Sequence, residues 1–241
     1  MSCLTSEVSS PSRLQYTLPT VIGLEGLPYA GKTSLSSLLL DAGMSRLGEL
    51  AEYFANGQQF PSFSETTADA RESFDWFVKA ELSRFAHLNE YPNGSLIISD
   101  RTLVSSLAYS YARRQVFQIG DKRDEHQAIE RAVVDKGYYI PPLIYVRIPI
   151  ETYFDRREST YDLRCETLGK RAVENVTIFE REREFFEAQI EYYDMIAERL
   201  GDKLLVIDGT CDPRENSWNA MRWCSRTAKN YYSIPLKEIL I

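Results

Sequence analysis

The eight residues Gly26-Leu-Pro-Tyr-Ala-Gly31-Lys32-Thr33 constrain this chain more than any other stretch. An apolar run, Thr20–Glu25, comes directly before them. Leu35, Leu38, Leu39 and Leu40 follow at helical spacing. Strand, glycine loop and helix therefore succeed one another without a spacer. Glycines let the backbone curl so that successive N–H groups face one anion, and the helix behind adds its positive end. Lys32 is placed to reach the β- and γ-phosphates of a nucleoside triphosphate, and the Thr33 hydroxyl to ligate Mg²⁺. The expected ATP site is thus Gly26, Leu27, Pro28, Tyr29, Ala30, Gly31, Lys32, Thr33 and Ser34. None of the variable positions 27–30 is an arginine, so a cation for the transferring phosphoryl group has to come from elsewhere.

The rest of the chain repeats the alternation. Short apolar runs at 46–51, 95–100, 143–148 and 203–208 read as strands. Helical patterns fall at 32–42, 70–90, 103–117, 124–137, 150–157, 175–199 and 213–226. Strands buried as apolar runs between helices predict an α/β fold with a parallel sheet of about five strands, flanked by helices on both faces. Residues 1–17 read as a flexible, Ser-rich lead-in and 18–241 as a single domain. Residues 53–69 form a polar stretch too long for a plain turn.

Composition narrows the function classes. The formal charge is −7, which argues against a dedicated nucleic-acid binder. No apolar run approaches the ~20 residues of a membrane span, and the N-terminus lacks the features of a signal peptide. The four cysteines contain no CxxC pair, and Cys211 and Cys224 read as two buried thiols. A cytoplasmic protein is expected.

Several residues outside the loop carry chemistry. Asp100 ends an apolar strand, where a carboxylate can hold magnesium, and Arg101 next to it can grip a phosphate. Glu52 lies just past the second strand, placed to act as a general base or to orient an acceptor. Glu25 closes the first strand, near the metal or bonded to the loop. On the 70–90 helix, Arg84 can reach a cleft or snorkel to solvent, and an ion pair with Glu81 would offset the cost of burying that carboxylate. Arg156, Arg157, Arg164, Lys170 and Arg171 cluster after the fourth strand. A lid at about 156–172 that folds over the phosphates would supply the missing cation, with Arg156 or Arg157 first.

Taken together these residues resemble the thymidylate kinases, within the P-loop nucleoside and nucleotide kinases. The resemblance spans about Thr20 to Met221. Ile22-Gly-Leu-Glu25-Gly26 through Thr33 is similar to that family's first strand and P-loop, and Arg84-Phe-Ala-His87 to its Arg-x-x-His helix. Asp100-Arg101 with Ser105, Ala108 and Tyr109 is similar to its Asp-Arg-Tyr…Ser…Ala-Tyr-Gln signature. The resemblance implies the P-loop kinase fold and ATP- and Mg²⁺-dependent phosphorylation of a nucleoside monophosphate, a (deoxy)pyrimidine such as dTMP. It also implies acceptor contacts from Arg84, Arg101, Ser105 and Tyr109, a small-molecule nucleotide partner and a homodimer. The chain departs from the family at Tyr29-Ala30, Thr102 and Ser110. Deoxynucleoside kinases share the fold and typically carry a catalytic Glu where Glu52 stands, so a nucleoside acceptor stays open. So does a P-loop regulatory protein that binds nucleotide without a small acceptor.

Overall fold

A computed structural model describes residues 19–48, 50, 61, 64–168, 181–230 and 233–241, the side chains of 161–168 and 228–230 excepted. Five strands form its sheet: β1 Thr20–Glu25, β2 Ser45–Leu47, β3 Leu96–Asp100, β4 Leu143–Arg147 and β5 Leu204–Asp208. All pair in parallel, in the order β2-β3-β1-β4-β5. Every residue of β1 is buried, as a central strand covered on both faces requires.

Eight helices accompany them among the described residues: α1 Lys32–Asp41, α2 Thr67–Ala86, α3 Leu103–Phe117, α4 Lys122–Lys136, α5 Ile150–Leu168, α6 Glu182–Leu200, α7 Pro213–Asn230 and α8 Leu236–Ile239. The chain leaves β1 toward β3 on one side and continues to β4 on the other, so the order reverses beside β1. That reversal opens a crevice at the carboxyl ends of the strands. Register decides what stands there: Leu24 pairs with Asp100 and Glu25 with Tyr145, which brings the ends of β3 and β4 level with the glycine loop.

The elements differ from the sequence-based expectation mainly at their ends, and local chemistry explains most of the differences. α2 starts at Thr67, not Ala70, because Thr66 and Asp69 form a reciprocal capping box. α4 starts at Lys122 because Asp121 accepts a hydrogen bond from the Arg123 amide. α2 closes in a 3₁₀ turn, His87–Glu90. α5 does not stop near 157 but runs through the arginine-rich stretch to Leu168. β2 is only three residues long. Cys224 is buried as expected, whereas Cys211 is exposed, in the turn after β5; both are free.

The carboxyl-terminal segment was missed in the sequence altogether. Ile234 bridges to Ile140, the Tyr192 hydroxyl donates to Ile239 O at 2.9 Å, and Ile239 is buried. Four residues of helix are too short to leave a periodic signal.

Candidate active site

The glycine loop turns as its sequence demands. Gly26 has φ +131°, and a Cβ there would stand 2.4 Å from Val146 O on β4, so only glycine fits. Gly31 caps α1 at φ +101° without a side-chain cap on the first amides. Those amides are the donors that a phosphate group would satisfy. Lys32 donates to Gly26 O at 3.1 Å and Leu27 O at 2.8 Å. Its pKa is pulled down to about 7, chiefly by burial and then by Arg101, against the opposing pull of Asp100 and Glu25. Of the remaining loop residues, Tyr29, Ala30, Gly31, Thr33 and Ser34 line an open groove of about 670 Å³ with Asp155, Arg156, Ser159 and Thr160. Leu27 is buried and turns only its carbonyl to Lys32, and Pro28 faces a different cavity.

Arg156 and Arg157, the two arginines expected to lead a lid, have separate positions. Arg156 donates to the carbonyls of Tyr29 (3.0 Å), Ala30 (3.2 Å) and Gly209 (2.8 Å), binding the loop to the end of β5. It also lines the groove. Arg157 points away from it and pairs with Glu182 of α6 at 2.7 Å. Lys170, Arg171 and the 169–172 end of the lid lie outside the described residues, as do the Arg164 side chain, the 1–17 lead-in and most of the 53–69 stretch.

The carboxylates sort by environment. Asp100 Oδ1 is buried with no hydrogen-bond partner among the described residues. An orphaned carboxylate oxygen close enough to Lys32 to act on its charge suits Mg²⁺, which takes one or two protein oxygens and shares phosphate oxygens. No cluster of three or more His, Cys, Asp or Glu among the described residues could hold a metal by itself. Glu25, by contrast, is spent on the loop after β3. It accepts from the Thr102 amide (2.8 Å) and hydroxyl (2.7 Å), from Ser105 Oγ (2.5 Å) and from the Tyr193 hydroxyl (3.2 Å). Burial raises its pKa, and these hydrogen bonds and Arg101 oppose the rise. Glu52 lies outside the described residues.

Glu25 thereby sets the turn that presents Arg101. Arg101 sits at φ 64°, a strained conformation for a non-glycine residue. It donates to Gly26 O (3.3 Å) and Ser105 Oγ (3.1 Å) and faces a partly open cavity of about 430 Å³. Three helices wall that cavity: α2 with Ser73, Phe74 and Phe77; α3 with Ser105, Tyr109, Ser110 and Arg113; α6 with Phe185, Phe186 and Gln189. Tyr109 and Phe185 pack edge to face, centroids 5.1 Å apart, as one aromatic wall on which a planar ring can lie, and the volume is in the range of small-molecule sites.

Arg84 is a correction. It does not line the cavity but is fully buried, pairing with Glu81 at 2.5 Å and donating to Asp100 O (3.1 Å) and Arg101 O (2.6 Å). It acts on the site only through the backbone that carries those two residues. Its burial beside Glu81 follows from the α2 stripe, since a carboxylate there needs a partner. Arg113 is the residue that sequence reasoning missed. The signal was present, because Ser105, Tyr109 and Arg113 repeat at intervals of four on one face of α3.

Comparison with known proteins gives the same architecture. No family model matches, and no curated protein matches by sequence. Among solved structures, a deoxyadenosine kinase from M. mycoides with bound dCTP superposes with TM-score 0.60 at 16% identity, over 86% of this chain and 100% of that one. The same kinase with products dCMP and a flexible dCDP bound gives 0.59 at 17%, with the same coverage. Thymidylate kinase from Candida albicans gives 0.53 at 13%, over 87% and 92%. The chain has the P-loop kinase fold. At these identities the likeness is one of fold, and residue roles rest on the geometry above.

Proposed function

We propose that this chain transfers the γ-phosphoryl group of ATP to a nucleoside monophosphate, a (deoxy)pyrimidine nucleotide such as dTMP. The observation that carries the reading is Arg101, which bonds the phosphate loop at Gly26 O and faces the aromatic cavity. A cation at that junction suits an acceptor whose own phosphate must approach the donor's γ-phosphate. Lys32 and the α1 amides grip the donor phosphates, Arg156 keeps the loop closed against β5, and Tyr109 and Phe185 hold the acceptor ring. Thr33 and Asp100 would hold Mg²⁺, which when bound neutralises phosphate charge. Catalysis of this kind is mostly positioning and charge stabilisation, and an anionic acceptor needs no general base.

The fold likeness to deoxyadenosine kinases supports a second reading, a nucleoside acceptor deprotonated by Glu52. A coupled ADP-release screen over nucleosides and nucleoside monophosphates separates the two. Turnover of a monophosphate, retained in Glu52→Gln, supports the first. Turnover confined to nucleosides and lost by orders of magnitude in Glu52→Gln establishes the second. ATP hydrolysis that no member of either panel stimulates removes the acceptor assignment.

A further inference from the structure

The acceptor cavity has two cationic ends. Arg101 stands at the phosphate loop, just before α3 begins, and Arg113 lies on α3 eight residues past Ser105, on the same helix face. At 1.5 Å per residue Ser105 to Arg113 spans about 12 Å of helix, room for a sugar and a base along that wall. Arg113 is 1% exposed. Its Nη1 donates to Ser64 Oγ at 3.0 Å and its Nη2, over a longer 3.4 Å, to Ser110 Oγ. Its Nε has no partner among the described residues. A guanidinium enclosed in this way loses its hydration, and two neutral hydroxyls compensate only in part.

Arg84 supplies an internal comparison. It is equally buried and its Nε is also unpartnered, but it has a carboxylate at 2.5 Å and two close backbone carbonyls, and it lines no cavity. Arg113 has no carboxylate within ion-pair distance among the described residues. Nearby Glu125 pairs with Arg114 through Oε2 and leaves Oε1 unpartnered, so its charge reaches Arg113 only over a longer distance. Arg113 is therefore built into the cavity wall with an unpartnered Nε and no ion pair among the described residues, donor capacity that a ligand can use.

The chemistry of that spare capacity is one-sided. A guanidinium has five N–H donors and no acceptor. A base with a carbonyl oxygen on its edge satisfies it, whereas an amino group opposes donor to donor and leaves both buried and unpaired. The other polar groups at that end adapt: Ser73 and Ser110 carry hydroxyls, and Gln189 carries both an acceptor and a donor. No described carboxylate lines the cavity to receive an amino group. We propose that Arg113 is the specificity-determining residue of the acceptor site, selecting oxo-bases (4-oxo pyrimidines and 6-oxo purines) over their amino counterparts. The inference rests on the acceptor reading above and names its substrate class.

The test pairs substrates that differ only at this edge: deoxyuridine against deoxycytidine and deoxyguanosine against deoxyadenosine, as nucleosides and as monophosphates. The wild-type protein should prefer the oxo member by about tenfold or more in kcat/KM, the scale at which a buried donor discriminates. Arg113→Gln, whose amide can accept as well as donate, should bring that ratio close to one. The change should lie mainly in KM, with ATP affinity unchanged. Arg113→Lys, which keeps charge and donors, should retain part of the preference. A wild-type preference for amino bases overturns the proposal even if Arg113→Gln fails to fold. So does a variant that weakens every acceptor equally, as a merely structural arginine would. In both cases turnover leaves the kinase reading standing. If no acceptor in the panel is turned over, that reading falls and this inference falls with it.

Discussion

Lys32 shows how a single side chain couples the loop to its ligand. Its ordinary pKa of 10.5 falls to about 7 because burial penalises the ammonium and Arg101 adds to the penalty. Donor phosphates would supply the missing countercharge and raise it again, so ATP binding at about pH 8 should draw a proton from solution. Calorimetry in two buffers of different ionisation heat measures that uptake; identical heats after buffer correction would refute it. Lys32→Ala should lose the uptake and cut ATP affinity by about a hundredfold or more. The sign for stability is the opposite of a partnered lysine's. Between about 7 and 10.5 the unfolded chain binds the extra proton, so this group makes stability rise with pH across that window.

At the scale of elements, α2 is joined to the end of β3 through Arg84, which ties the helix to the backbone of Asp100 and Arg101. Arg84→Met should cost about 3–5 kcal/mol in urea unfolding, because Glu81 would be left as an uncompensated buried carboxylate. A change confined to acceptor KM with no loss of stability would return Arg84 to direct substrate contact. Glu81 adds a pH signature. Burial raises its pKa from 4.5 to about 7 against the pull of Arg84, so the folded state holds the extra proton between those values. Its contribution to stability therefore declines as pH rises through that window, and in the variant, without the pull of Arg84, the decline should extend to higher pH. Helix existence and type were legible in the stripes of α2, α3 and α6. The lengths of α2 and α4 depended on caps such as Thr66, and what Arg84 touches depended on where β3 ends.

At the scale of the whole molecule, the glycine loop is a shared wall, with Pro28 lining the aromatic cavity proposed for the acceptor and Tyr29 the groove proposed for the donor. Two nucleosides joined by a chain of about four or five phosphates should therefore bind both at once. Linking them turns the second association into an intramolecular one, with an expected gain over ATP of about a hundredfold or more. Titration calorimetry against ATP alone measures the gain, and equal affinities would mean that the two spaces do not form one site.

The sequence by itself determined the glycine loop and the helix behind it. Gly26 to Thr33 between an apolar strand and a leucine-rich helix admits one local geometry, because glycine torsions, amide direction and lysine reach are all set within a dozen residues. The same local logic announced the alternating parallel α/β plan. The aromatic cavity beside that loop was decided only by tertiary structure. Arg84 and Arg113 are both arginines on helices beside aromatic residues, and nothing in their local sequence ranks one above the other. Packing α2, α3 and α6 together ranks them. It seals Arg84 against Glu81 and the end of β3 and leaves Arg113 at the cavity wall with no ion pair among the described residues. Which buried charge faces a ligand depends on which helices meet, and that information lies in contacts between residues far apart in the chain.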